Sequence, residues 1–339
     1  IFKSLVGGAD VLIETYPAGT MDNWGLGYAE LEKLNPRLIM CSITGYGQFG
    51  PDSERKLYDY DNVSQARSGI QYCTGEVLPE GKTVKDMPWA VPTKAGPHIA
   101  WAVSGTFGAM GILSALYHRG KTGEGQAIDI CTPEAYSRLA DYQLMWYAHA
   151  GVIAERFGSL DTALWLYGFF PTKDGGVFLG GLRLEMWKAF VDIIGKYDEW
   201  KAEEWTTLAP FMKKDWQLKY QSMIDPETRK YTSEELTQKS VEYAKSGRLA
   251  PITPVVAEIV SPWKAMHDEN WQDRGIFTPV QDPVYGSVLC AQSQWKATET
   301  PPRTKWACRP VGYDNGHIYL KYLGYGPAKL KELEGKGII

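Results

Sequence analysis

Two short apolar runs flanking one helical stretch constrain this chain more than any other feature of it. Ala9-Asp10-Val11-Leu12-Ile13-Glu14 is closed by Pro17 and Gly19. Tyr28 to Leu34 has helical spacing, and Pro36-Arg37-Leu38-Ile39-Met40-Cys41-Ser42-Ile43 then runs into a glycine-rich turn, Gly45-Tyr46-Gly47. Strand, about two helical turns, then strand predicts a βαβ unit, because parallel neighbours need a crossover connection.

The rest of the chain extends that frame. Residues 51–97 are rich in Pro, Asp and Lys, and Glu80 to Pro97 reads as an exposed excursion. A long apolar helix is predicted from about Ile99 to Arg119, with Gly105, Gly108 and Gly111 at intervals of three. Each glycine costs a helix ~1 kcal/mol, so the pattern implies close packing, within the chain or between subunits. Ala127-Ile128-Asp129-Ile130 reads as a strand, and Glu134 opens a helix through about Ala150. After a linker at 151–165, Leu166 to Phe170 and Val177 to Leu179 flank a Lys173-Asp174-Gly175-Gly176 turn and read as an antiparallel pair. Helices over Leu184 to Ile194 and Thr232 to Ser246 follow, short strands return near Thr278 to Thr300, and a charged helix (Ala328 to Lys336) closes the chain. This shift in pattern predicts a second, α+β domain.

Composition narrows the function classes. A chain of 339 residues suits two domains, or one large α/β domain with an insertion. A net charge of −4 lacks the basic face that a nucleic-acid binder needs. No apolar run is read as reaching the length of a membrane span. The five cysteines (Cys41, Cys73, Cys131, Cys290, Cys308) are scattered, with no Cys-x-x-Cys pair, which fits reduced thiols and a cytoplasmic location. The histidines are equally dispersed, so no metal site is expected. Ile1-Phe2-Lys3-Ser4-Leu5-Val6 reads as the middle of an amphipathic helix, so a natural start upstream is expected.

Several blocks together resemble the family III CoA-transferases, the formyl-CoA transferase and carnitine CoA-transferase superfamily. They are Ala9 to Glu14, Leu34 to Ile39, Gly45-Tyr46-Gly47-Gln48-Phe49-Gly50-Pro51, Tyr60-Asp61-Asn62-Val63-Ser64-Gln65, and Gly111 to Arg119. The most telling is Thr122-Gly123-Glu124-Gly125-Gln126-Ala127-Ile128-Asp129-Ile130. Ile252-Thr253-Pro254-Val255 with Asp273-Arg274-Gly275-Ile276-Phe277 looks like the family's closing segment. The resemblance implies an α/β fold: an open Rossmann-like large domain from residues 1–150 and 278–339, with an α+β small domain, 166–277, inserted between them. It also implies two chains interlocked like links, a packing that the three glycines would serve unless they serve an intrachain contact.

The resemblance implies a chemistry as well. Family III enzymes move CoA from a thioester to an acid through an aspartate that forms anhydride and aspartyl-CoA intermediates. That aspartate opens the helix leading into the Gly-Ile-Leu block, and counting back from Leu113 places it near Ala100–Trp101. The whole stretch Gly96-Pro97-His98-Ile99-Ala100-Trp101-Ala102 contains no carboxylate. His98 is the nearby nucleophilic side chain, with an ordinary helix-start histidine the favoured reading. Glu134 is a weaker alternative, read as a carboxylate beside the N–H groups of a helix start. Thr15, Tyr16, Tyr60 and Asp61 match segments that line the family's CoA site. The turn Thr15-Tyr16-Pro17-Ala18-Gly19 and the pair Asn23-Trp24 lack the arginines that suit CoA's phosphates there. The racemase branch needs an Asp in the same carboxylate-free stretch, and Asp59 lies where its His would be, so that activity is not expected.

The expected function is a subunit of a CoA-transferase that moves CoA from an acyl-CoA such as succinyl-CoA to a carboxylic acid. In that reading this chain is non-catalytic, a homologous chain supplies the aspartate, and acyl-CoA is bound mainly by that partner. Degradation of aromatic acids is one setting. The alternatives are an active homodimer with a displaced nucleophile and a binding or scaffold protein.

Overall fold

The computed structural model describes residues 1–55, 59–79, 81–247 and 254–339, so Ile252 and Thr253 of the closing-segment match, and Glu80, lie outside the described residues. The chain divides into two compact units, one made of residues 1–158 with 312–339 and the other of residues 159–311.

The first unit opens with helix α1 (Phe2–Val6), strand β1 (Val11–Glu14) and the single-turn helices α2 (Thr20–Asn23) and α3 (Tyr28–Leu31). Strand β2 (Ile39–Thr44), helices α4 (Asp61–Arg67) and α5 (Ile99–Thr122), strand β3 (Gln126–Cys131) and helices α6 (Thr132–Ser137) and α7 (Asp141–Ala150) follow. The sheet order is β1-β2-β3, and both pairings are parallel. Ile39, Met40 and Cys41 of the central strand are all buried, the continuous apolar run of a strand covered on both faces. Beneath it Val6, Met21, Leu31, Leu38 and Met40 form one core, against which Leu12, Leu26 and Tyr28 pack.

Helix α5 lies across this sheet. A Cβ on Gly108 would meet Ile43 Cδ1 at 2.9 Å, and one on Gly111 would meet Ile128 Cγ2 at 3.2 Å. These two glycines therefore serve an intrachain contact, whereas a Cβ on Gly105 would meet nothing within 4 Å. At the far end of α5 the buried Arg119 donates to the Asp10 carboxylate at 2.8 Å and to the Arg37 carbonyl at 3.0 Å. That cation ties the helix to the starts of β1 and β2.

One sequence expectation needs correction. Helix α5 is long and apolar enough, by length and composition, to cross a membrane, and only 22% of that stretch is buried. It read as too short because its glycines dilute the apolar run. A second difference is that the helix expected over Glu134 to Ala150 is interrupted by a 3₁₀ turn at Arg138–Ala140. Tyr136, before that tighter turn, and Ala140, its last residue, are buried.

The second unit is built on a hairpin of β4 (Tyr167–Pro171) and β5 (Gly176–Gly180), followed by helices α8 (Leu184–Ile193), α9 (Lys214–Thr228) and α10 (Ser233–Ser246). Strand β6 (Val255–Glu258) pairs antiparallel with β5. Helices α11 (Pro262–Met266) and α12 (Glu269–Asp273) lead to a separate antiparallel pair, β7 (Phe277–Asp282) and β8 (Gly286–Ala291). Aromatic rings fill this unit's core. Trp165 and Trp187 are fully buried among Phe190, Phe211 and Tyr220, and Trp187 stacks on Trp205 at 5.2 Å. Helix α10 opens with a capping box between Thr232 and Glu235.

From Gly312 the chain returns to the first unit with α13 (Asn315–Leu323) and α14 (Pro327–Gly335). The return begins at 312 and not at 278, because β7 and β8 pair only with each other and group with the second unit. The expected linker divides likewise, with 151–158 in the first unit and 159–165 in the second.

Candidate functional site

The three parallel strands run out at a common edge, and the chain turns away from each of them around a cavity of about 500 Å³. Open parallel sheets bind ligands at this carboxyl edge, where the loops diverge and leave a crevice. Thr15 follows β1, Thr44 ends β2 and Gly45 follows it, and Thr132 follows β3; Asp59 and Trp101 complete the wall from the side of α4 and α5.

Polar clamps hold these elements in place. The buried Asp61 accepts the Trp101 backbone N–H at 3.1 Å and the Gln65 side-chain N–H at 2.6 Å. It therefore satisfies a free donor in the first turn of α5 and fixes where that helix begins. On the other side the glycine-rich turn is pinned through Gln48. Its backbone N–H reaches Asp129 Oδ2 at 2.9 Å and its side chain reaches Glu14 Oε1 at 3.3 Å.

Trp101 belongs to the Ala100–Trp101 pair near which the family resemblance counts its nucleophile. Trp101 sits in the first turn of α5 and lines the cavity. His98 precedes the helix in the left-handed region (φ 56°) and stacks on Trp101 at 5.4 Å. It is exposed and is not among the residues that line the cavity.

The sequence reading did not single out Asp59 as a site residue, yet its carboxyl faces this same space. It accepts the Ser64 hydroxyl at 2.9 Å and the Trp101 indole N–H at 3.4 Å. Burial pushes its pKa above the usual carboxylate value and Asp61 adds to this, while the bonds from Ser64 and Trp101 oppose it. The nearby Thr44 Oγ1 is buried and has no hydrogen-bond partner.

The other expected site residues fall as follows. Thr15 lines the cavity. Tyr16 is exposed and packs edge-on against Trp24 at 5.0 Å. Tyr60 is exposed outside the lining, and Asp61 is spent on the start of α5. Glu134 is exposed in the first turn of α6, one strand away from Trp101. The structure thus brings Thr15, Asp59 and Trp101 together and leaves His98, Glu134, Tyr16 and Tyr60 at the margin. Asp59 carried little signal in the sequence, because only the fold decides which acidic residue of the Asp59-Tyr60-Asp61 triplet points outward. Among the described residues no group of three or more His, Cys, Asp or Glu side chains is placed to hold a metal.

Comparison with known proteins agrees with this architecture. A sequence profile of CoA-transferase family III matches residues 1–315. A succinyl-CoA–D-citramalate CoA-transferase of Chloroflexus aurantiacus is 27% identical over all of this chain and 79% of its own length. The α subunit of a succinyl-CoA–L-malate CoA-transferase from the same organism is 30% identical, over all of this chain and 74% of its own. The corresponding β subunit is 38% identical over 52% of this chain and 40% of its own. The crystal structure of a CAIB/BAIF family protein from Brucella suis superposes with a TM-score of 0.76 over 95% of this chain and 77% of that one, at 24% identity. With the parallel sheet, the cavity at its carboxyl edge and a profile match across most of the sequence, the chain belongs to CoA-transferase family III.

Proposed function

We propose that this chain is the non-catalytic subunit of a two-chain CoA-transferase. The assembly moves CoA from an acyl-CoA donor such as succinyl-CoA to a carboxylic acid. The observation that supports this reading is Trp101, whose indole stands in the cavity wall, within the carboxylate-free stretch where the sequence resemblance implies the nucleophile. An indole carbon framework forms no anhydride with a thioester, so a homologous chain would supply that aspartate. The cytoplasm, with its acyl-CoA pool and reduced thiols, is the compartment in which such an assembly would work.

Two further features support a partner chain. Relatives of this chain include both subunits of one two-subunit enzyme. The isolated chain also exposes 21054 Å², whereas two separately folded monomeric units of its total mass would expose roughly 17000 Å². Part of the surplus lies on α5, where Met110, Leu113 and Tyr117 form an exposed apolar stripe at helical spacing. Interlocking with a homologous chain would cover such a stripe.

The test is chemical trapping. The isolated chain, and the chain copurified with a homologous partner encoded beside it, are each incubated with succinyl-CoA and then hydroxylamine. Acidic side chains converted to hydroxamates are mapped by mass spectrometry. The expected result is no hydroxamate on this chain in either sample and one on the partner. A hydroxamate on this chain, or ordinary CoA transfer by it alone, would overturn the proposal.

A further inference from the structure

We infer that Glu14 is a positioning residue for CoA binding: its one buried carboxylate fixes the spacing of the two turns that flank the crevice. These turns are residues 15–19 after β1 and residues 45–50 after β2. The inference rests on the reading that the crevice holds the family's CoA thioester. It holds whether this chain is silent or active.

Glu14 is the last residue of β1 and is 6% exposed. A carboxylate that deep needs donors, because burying an unsatisfied charge is costly. It finds one in each turn. Oε2 accepts the Tyr16 backbone N–H at 2.7 Å, and Oε1 accepts the Gln48 side-chain N–H at 3.3 Å. Gln48 in turn gives its backbone N–H to Asp129 Oδ2 at 2.9 Å, which ties the second turn to β3. Glu14, Ser42 and Asp129 are register neighbours across the three strands, so this network spans the sheet near its carboxyl edge.

Both turns depend on such a tether. Gly19 closes the first at φ 74°, and Gly47 and Gly50 sit at φ 71° and 98° in the second. Glycine supplies that left-handed backbone, and it also loses more conformational freedom on ordering than any other residue. The cavity wall is drawn from these same turns: Thr15, Pro17 and Ala18 from one, Gly45, Tyr46 and Gly47 from the other. The second turn has further anchors on its outer side. Arg67 lies over the Tyr46 ring at 5.3 Å and pairs with Asp52, and Ser53 Oγ donates to the Gly50 carbonyl at 2.7 Å. Those contacts tie the turn to α4 and to the segment that follows it, whereas Glu14 ties it to the first turn. Glu14 itself does not line the cavity. It acts on the ligand through the walls, where a displacement of about 1 Å is enough to spoil the fit.

Calorimetric titration of the full chain with CoA tests the inference, beside hydrogen exchange over residues 15–19 and 45–50 of the free chain. In Glu14→Ala both turns lose their tether and should exchange faster. CoA affinity should fall about tenfold, the scale of one hydrogen bond to a charged group. Gln48→Ala cuts the link between the turns and leaves the Tyr16 N–H bonded, so it should lose part of that affinity. The double variant should bind no more weakly than Glu14→Ala, because the two side chains act through one bond. Glu14→Gln should restore most of the affinity. Its amide oxygen accepts the Tyr16 N–H, and its amide nitrogen donates to a Gln48 side chain turned end for end. Should Glu14→Ala fail to fold, Gln48→Ala carries the test, because it leaves β1 untouched. Unchanged affinity in Glu14→Ala or Gln48→Ala, equal losses in Glu14→Gln and Glu14→Ala, or no CoA binding by the unaltered chain would each overturn the inference. A hydroxamate on this chain would end the silent-subunit reading and leave this one standing, so the two fail separately.

Discussion

A Cβ on Gly45 would lie 2.3 Å from both Cβ and Cγ of Asp59, closer than any real contact. The two residues are therefore one unit: the strand end must be glycine for the carboxyl to sit in the cavity wall. Gly45→Ala forces Asp59 or the β2 strand end to move, and overpacking of this kind costs ~1–3 kcal/mol. Urea denaturation should report that loss. Unchanged stability would mean that Asp59 is not held as described. Asp61, two residues on, has a different role despite its identical chemistry, because its carboxylate is consumed by Trp101 N–H and Gln65. Two carboxylates so close in sequence are separated in function only by which side of the α4 start each one faces.

Helix α5 carries three glycines at regular spacing, and its neighbours differ at each. Gly108 and Gly111 let it rest on Ile43 and Ile128, whereas Gly105 faces open space. The expected effects of alanine therefore differ. Gly105→Ala should stabilise the isolated chain by about 0.5–1 kcal/mol through helix propensity alone. Gly108→Ala gains the same propensity but meets Ile43 Cδ1 at 2.9 Å, so it should be neutral or destabilising by about 1 kcal/mol. Thermal unfolding of the two variants checks this, and equal shifts would show that α5 does not pack on the sheet through Gly108. The glycine spacing was legible in the sequence, but the division of labour within it was not. Helix α9 was not legible at all: it is polar over much of its length and contains Pro226, which removes a donor and breaks the helical pattern.

At the scale of the molecule, the proposed assembly is tested at the exposed stripe Met110, Leu113, Tyr117. Leu113→Arg places a charge on that stripe at a residue 66% exposed, where substitutions change folding stability by no more than ~0.5 kcal/mol. Native mass spectrometry should show the unaltered chain assembled with a homologous partner or a second copy, and the variant as a folded monomer. An assembled variant, or an unaltered chain that is monomeric in every mixture, would speak against this surface as an interface.

The sequence alone settled the parallel βαβ start, the long glycine-spaced helix, the second unit's hairpin and the family. Each of these is encoded locally, in alternation, turn residues and runs of matched blocks that need no knowledge of distant neighbours. It also determined that no carboxylate lies between Gly96 and Ala102. What only the tertiary structure decided is that Asp59, carried in on a separate loop, faces the cavity beside Trp101 while Asp61 turns away. Segments from the ends of three strands and two helices meet there. Such a meeting depends on long-range packing that no local pattern records.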